Sequence, residues 1–377
     1  MKKIPGLCLL FTVLLLASCA TQPARNVNPN ATPEAQNLLN FLYDIQGKYI
    51  LSGQHNYIST DSKYTEKVHE ITGKYPVIWG SDFSFCYAGD TPRKFQHCGP
   101  LNISDPGEWN VSEITDVTPE EARQKLVQTA INKHKEGHII TLMWHCCPPK
   151  FENNCCDGNE IWAMENRPTP EEWKELVTDG TPTNTAWKEQ ADVIAGYLQQ
   201  LQDARVPVLW RPYHEMNGVW FWWCNQKGED GFKKLWIMMY DYFTNHHKLN
   251  NLVWVWNTNA PRDIPGDEAF AYEDFWPGIE YVDVLAADVY RKDWKQSHHD
   301  DLRKLGNGKP IALGEVGNPP TPEIIAQQPY WTWFMPWGSL VLWRDNPEVL
   351  KQLFQDDRLL TRDELRMNSA GKYKVTI

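Results

Sequence analysis

The 377-residue chain has no surplus of positive charge: 37 Lys and Arg stand against 48 Asp and Glu, giving a formal net charge of −11, and no basic stripe is interleaved with aromatics. Nucleic-acid binding draws most of its affinity from neutralised phosphates, so it has no electrostatic support here. The apolar run at residues 7–16 is shorter than the roughly 20 residues a membrane-spanning helix needs. No pair of cysteines has the Cys-x-x-Cys spacing, which leaves a zinc site as the weaker reading of the cysteines. No repeat array, low-complexity block or second domain is visible. With 42% hydrophobic residues, one large core is the default.

Tryptophan, by contrast, is plentiful, 19 against 13 Phe. Flat amphipathic rings of this kind stack on pyranose faces and hydrogen-bond at one edge, although some will simply be core.

At the amino terminus Lys2 and Lys3 precede the apolar run, the pattern of an export signal. Leu16-Ala17-Ser18-Cys19 then resembles a bacterial lipobox. That resemblance implies removal of residues 1–18 and a lipid on Cys19, which anchors the protein to a membrane as an exported lipoprotein. A plain secretory signal is the alternative. Cys19 is followed by Ala20, Thr21 and Gln22 with no acidic run, so a periplasm-facing position is expected. Residues 19–31, polar with prolines and asparagines, read as a flexible tether, and residues 32–377 as the folded body.

Export also bears on the cysteines. Seven remain in the body: Cys86, Cys98, Cys146, Cys147, Cys155, Cys156 and Cys224. In an oxidising compartment they are expected to form disulfides, the odd number leaving at least one thiol unpaired or joined to another chain. Cys86 with Cys98 closes a short loop. One or two bridges can join Cys146 and Cys147 to Cys155 and Cys156.

From residue 32 short apolar runs alternate with longer amphipathic ones, which predicts βα units around a parallel sheet. Eight strands are expected, at residues 49–53, 76–80, 138–144, 206–210, 251–256, 282–288, 310–314 and 339–343. Eight is the number that closes a single (β/α)8 TIM barrel, in the α/β class. Thr118-Pro119-Glu120-Glu121 and Thr169-Pro170-Glu171-Glu172 have the form of helix starts, with a capping hydroxyl, a first-turn proline and a carboxylate three residues after the cap. Trp187, Ala191, Ile194, Leu198 and Leu201 fall on one helical face, as do Phe232, Leu235, Trp236, Met239 and Phe243. The connections after strands 2 and 3 are long, residues 83–117 and 145–182, and contain most of the cysteines. Long loops on the catalytic face shape binding clefts.

Two carboxylates stand where apolar strands end. Glu215 follows the run at residues 206–210 and is followed by Trp220, Trp222 and Trp223, whose shielding raises a carboxyl pKa toward that of a general acid. Glu315 ends the seventh run in Ile311-Ala312-Leu313-Gly314-Glu315-Val316-Gly317. Facing each other across a barrel mouth, such a pair suits glycoside hydrolysis: one group protonates the leaving oxygen and the other meets the oxocarbenium-like centre. Glu215 taken alone also reads as an ion-paired surface residue beside core tryptophans. His214-Glu215 begins like a zinc-protease helix motif, but position 218 is Gly rather than His, which removes that reading.

The run Arg211-Pro212-Tyr213-His214-Glu215-Met216-Asn217-Gly218 with Trp220 resembles the signature of glycoside hydrolase family 26, mostly β-mannanases. The similarity extends over about residues 38–354. It implies a (β/α)8 barrel, a retaining mechanism, Glu215 as acid/base and Glu315 as nucleophile, with no metal or cofactor. His214 is then expected to help hold the nucleophile. His145, Trp220, Tyr290, Trp343 and Arg344 are expected to line the sugar subsites around the cleavage point. On chemistry alone, the Tyr290 hydroxyl can position Glu315 or its ring can plug the barrel top. Trp343, ending the eighth strand, offers a platform and Arg344 fixed donors, or an ion pair. The chain departs from the family where Cys224 stands in place of an expected glycine, and in the Cys146 to Cys156 loop.

The expected activity is that of a retaining endo-β-1,4-mannanase on mannan, glucomannan or galactomannan, acting as a monomer. An exo-acting mannobiohydrolase, a β-1,3-1,4-glucanase or a β-1,3-xylanase would present the same two glutamates. A lipoprotein that captures polysaccharide without cleaving it is the alternative from another class.

Overall fold

The computed structural model describes residues 25–58, 61–83, 95–96, 113–114, 119–149 and 166–376. Most of the two long connections, and with them Cys86, Cys98, Cys155 and Cys156, lie outside the described residues, as do the expected signal segment and Cys19.

Eight parallel strands form the body: β1 Ile50–His55, β2 Ile78–Asp82, β3 Ile139–Trp144, β4 Val208–Pro212, β5 Leu252–Asn259, β6 Val284–Val289, β7 Ile311–Val316 and β8 Trp333–Phe334. Each pairs with the next in chain order, and β8 pairs with β1 through Leu51 opposite Trp333. Bridges from Ile311 to Trp331 and from Val316 to Pro336 join β7 to the β8 segment and close the ring. The protein is a single (β/α)8 barrel.

The strands are buried along both faces, as expected of a sheet with helices outside and packed side chains within. Along β5, Val253 and Val255 point inward while Trp254 and Trp256 point to the helix layer. Helix α1, Pro33–Ile45, plugs the lower end with Leu38, Leu39, Leu42 and Ile45, which join the inward residues in one cluster. Among the outer helices, α2 spans Pro170–Leu176 and opens on a complete capping box: the Thr169 hydroxyl accepts from Glu172 N and the Glu172 carboxylate accepts from Thr169 N. Both predicted helical stripes are buried in the outer core, from Trp187 to Leu201 and from Phe232 to Phe243. No helix among the described residues is long and apolar enough to cross a membrane.

Two expectations need correction, and one alternative left open narrows. The eighth strand is Trp333–Phe334, whereas residues 339–343 lie in and just after a 3-10 turn, Gly338–Leu342. Pro336, with no N–H, and Gly338, at φ 43°, end the extended chain before that apolar stretch begins. Trp343 and Arg344 therefore follow a turn and do not end a strand. The tether is also shorter than expected, because residues 26–31 are docked on the lower rim. Val27 N donates to Asp283 Oδ1 at 2.7 Å, the Tyr240 hydroxyl donates to Val27 O, and Asn28 donates to Asn250. Finally, Cys146 and Cys224 are both free and buried. Cys147 is disulfide-bonded, so a double bridge from the 146/147 pair is not formed. The Cys146 thiol instead points to Gln190 Oε1, 3.1 Å away.

Candidate active site

The upper end of the barrel carries a layer of polar side chains that continues the inward positions of the strands. On β5 the alternation that puts Val253 and Val255 inside brings Asn257 and Asn259 to the mouth. Asn259 is the register partner of Asp288 on β6, and Asp288 that of Glu315 on β7.

Glu315 owes its place to an irregularity. Ala287 pairs with Leu313, but Asp288 pairs with Glu315, so Gly314 is an extra residue on β7. Without this bulge strict alternation would turn Glu315 to the helix side; with it the carboxyl enters the mouth. Gly314 leaves no room for a side chain: a Cβ there would lie 1.8 Å from Asn257 Oδ1 and 2.8 Å from Asp288 Oδ1. Gly314→Ala is expected to displace Asn257, to lower stability by about 2 kcal/mol or more, and to abolish most activity. A thermal melt paired with a rate assay checks both effects.

Glu215 sits in the turn after β4, in a left-handed backbone conformation (φ 55°) that it shares with Tyr213 (φ 50°). Such conformations persist only where their surroundings hold them. Glu215 N donates to Asn257 O at 2.8 Å, Trp223 Nε1 donates to His214 O, and the Cys224 thiol donates to Glu215 O at 3.1 Å. The cysteine that departs from the family pattern thus fastens the turn bearing Glu215.

The two carboxyl groups have different surroundings. Glu215 accepts from Trp220 Nε1 at 2.6 Å and from Asn259 Nδ2 at 2.5 Å. Burial, with the negative charge of Glu315 second, raises its pKa to about 7 despite these donors. Glu315 accepts from the Tyr290 hydroxyl at 2.8 Å and from Arg211 Nη1 at 3.4 Å. Burial raises its pKa too, but the Arg211 guanidinium and the Tyr290 hydroxyl pull it back toward the ionised form. Asp288, buried beside both glutamates, is driven well above the carboxylate range first by burial and then by their charges. Of these three carboxyls Glu315 is the one that accepts a hydrogen bond from a guanidinium, Arg211, so the negative charge is favoured there over Glu215 and Asp288.

His214 Nε2 lies 3.7 Å from Glu315 Oε1. Burial, then the charges of His145 and Arg211, hold His214 neutral, so it packs on the nucleophile candidate without pairing ionically with it. The His145 ring meets His214 edge to face at 4.5 Å, and its Nδ1 is 2.5 Å from Asp82 Oδ2. Trp220 is half-buried and bound to Glu215. Its ring folds against Gly218, where a Cβ would lie 2.5 Å from ring atoms. Trp343 is half-buried, with the exposed Arg344 guanidinium 4.1 Å above its ring. Among the described residues no hydrogen bond joins either of them to the glutamates.

The sequence reading assigned no role to Arg211, Asn257, Asn259, Asp82 or Asp288. Arg211 Nη1 donates to Asn257 Oδ1 at 2.7 Å, and this pair forms the floor beneath Glu315.

A barrel whose β4 and β7 ends bring two buried carboxyls with different surroundings to a shared mouth is equipped to cleave glycosidic bonds. The comparisons agree with that class. The model of Glycosyl hydrolase family 26 matches residues 27–91 and 107–364. A mannan endo-1,4-β-mannosidase of Thermothelomyces thermophilus is 31% identical, over 94% of this chain and 67% of that protein. GH26A from Muricauda sp. MAR_2010_75 is 43% identical with a TM-score of 0.78, covering 90% of this chain and 100% of that one. A β-mannanase from a symbiotic protist of the termite Reticulitermes speratus, solved in complex with gluco-manno-oligosaccharide, is 28% identical with a TM-score of 0.69, over 90% of this chain and 96% of that one. The chain belongs to glycosyl hydrolase family 26. It spans about half to two thirds of the length of several curated relatives.

Proposed function

We propose that this protein is a retaining endo-β-1,4-mannanase. The observation that carries the reading is the split between the two carboxyls, Glu215 raised to about 7 and Glu315 set against Arg211 and Tyr290. Ionised Glu315 attacks the anomeric carbon of a bound mannosyl unit while Glu215 protonates the departing chain oxygen, which leaves a glycosyl ester on Glu315. Glu215, now a carboxylate, takes a proton from water as the water attacks the same carbon, and the ester bond breaks to restore both groups. His145, Trp220, Tyr290, Trp343 and Arg344 line the sugar path in this reading, and His214 supports the nucleophile.

The relatives' printed activity supports mannan as the polymer. In a reducing-sugar assay across glucomannan, galactomannan, mixed-linkage glucan and β-1,3-xylan, the two mannans should be preferred, and chromatography of early products should give a ladder of oligomers. A single disaccharide would instead identify an exo-acting enzyme.

The lipobox-like Leu16-Ala17-Ser18-Cys19 supports a lipid anchor in the outer membrane or facing the periplasm, on a monomeric enzyme. Cys19→Ser should move the activity from the membrane to the soluble fraction. Wild-type activity in the soluble fraction would remove the anchor from the account.

A further inference from the structure

Beyond the two glutamates, one guanidinium touches both groups that hold Glu215. Arg262, in the loop after β5, places Nη1 on Asn259 Oδ1 and lays its plane over the Trp220 ring, 4.8 Å from the centroid. Asn259 and Trp220 are the donors to Glu215 Oε1 and Oε2 respectively. Arg262 is itself fixed. Its Nε and Nη2 donate to the Asp267 carboxylate at 3.1 and 2.7 Å, its backbone pairs with Ala269 in both directions at 2.9 Å, and Arg291 meets the same Asp267 from outside.

The chemistry of an amide gives this arrangement a consequence. A free asparagine side chain can present either its oxygen or its NH2 to a neighbour, whereas a guanidinium has donors only. With Arg262 on Asn259, the amide oxygen is taken and the NH2 must face Glu215. The Asn259 backbone is locked separately, since its N–H donates to Asn217 Oδ1 at 2.7 Å and its carbonyl accepts from Asn217 Nδ2 at 2.8 Å, so the side-chain flip is the freedom that remains.

We propose that Arg262 is a positioning residue for the acid/base, orienting Asn259 and Trp220 so that both donate to the Glu215 carboxyl and thereby setting the pH at which it gives up its proton. The proposal rests on the reading of Glu215 as acid/base. The charged and titratable groups around Glu215 are Glu315 from β7, Asp288 from β6, Tyr290 just beyond β6, the Cys224 thiol and Arg262. Burial and the charge of Glu315 favour the protonated acid. Of the groups named, Arg262 alone adds positive charge on that side, and it lowers the Glu215 pKa. Losing it removes that charge and frees Asn259 to turn its oxygen toward the carboxylate, and both changes raise the pKa.

The test is the pH profile of kcat/KM for Arg262→Met. In the wild type the alkaline limb should lie near pH 7, where Glu215 deprotonates. In Arg262→Met that limb should move up by about one unit. The rate on mannan should fall about tenfold, while release of dinitrophenol from an aryl β-mannobioside, which needs no proton, should change much less. Arg262→Lys, which keeps the charge but not the fork, should recover part of the shift. Asp267→Asn loosens Arg262 without touching Asn259 or Trp220. It should move the limb in the same direction by less, and it serves as the test if Arg262→Met does not fold. An alkaline limb at the wild-type position in the folded variant overturns the proposal, whatever happens to the rate. Glu215→Gln separates the two levels: if it loses mannan hydrolysis while Arg262→Met keeps the wild-type limb, the positioning role alone is wrong. If Glu215→Gln retains the mannan rate, the acid/base reading itself has failed.

Discussion

Glu315→Ala should leave a folded barrel that hydrolyses no glycoside, with a loss of roughly 10^5-fold or more in kcat, or about 7 kcal/mol of barrier. The loss should be equally deep on mannan and on aryl glycosides with acidic leaving groups, because no leaving group replaces the missing nucleophile. Stability should not suffer in step. Removing a buried carboxyl held by Arg211 and Tyr290 takes the acceptor from the Tyr290 hydroxyl and leaves Arg211 Nη1 with Asn257 alone, but it also removes a charge whose burial is costly. Stopped assays with both substrate types, alongside a melt, check the claim. Measurable turnover of an aryl mannoside at a wild-type rate would remove Glu315 from the chemistry.

Glu215→Ala should behave differently. A general acid is worth about 10^2- to 10^4-fold, and mannan, whose leaving sugar is a poor anion, should lose that factor. A dinitrophenyl glycoside leaves without a proton, so its first step should run near the wild-type rate and the ester should accumulate, seen as a burst of phenol followed by slow turnover. Azide, which attacks without a general base, should restore turnover and yield a glycosyl azide. Equal loss on the two kinds of substrate, with no burst and no azide effect, would contradict the separation of roles. The separation follows from their surroundings: Glu215 meets neutral donors from Trp220 and Asn259 and gains its high pKa mainly from burial, whereas Glu315 has a guanidinium at 3.4 Å.

The barrel was legible in the chain because seven of its strands are apolar runs that end in polar residues, and burial of both faces produces that pattern without reference to partners. The eighth was not. Its paired core is two residues, Trp333–Phe334, in an aromatic stretch that looks like any buried turn, while the more strand-like residues 339–343 follow Gly338 and coil. Glu215 and Glu315 stood out at strand ends, although strict alternation along β7 would have turned Glu315 outward. The bulge at Gly314 that brings it in exists only in the register with β6. Asn257 and Asn259 carried a signal that was available: they extend the period-two inward series of Val253 and Val255 into polar residues, as a strand does on reaching a site. Asp82 and Arg262 carried none, since their importance lies in contacts with residues distant in the chain, Asp82 with His145 and Arg262 with the Trp220 ring.

The most direct test of the double displacement is the anomeric configuration of the first product, followed by proton NMR as a mannooligosaccharide is cleaved. The new reducing end should appear as the β anomer and only later equilibrate with the α form by mutarotation, because two inversions at one carbon restore the starting configuration. An α anomer at the earliest times would mean a single inversion by water, and Glu315 could not then be the group that attacks.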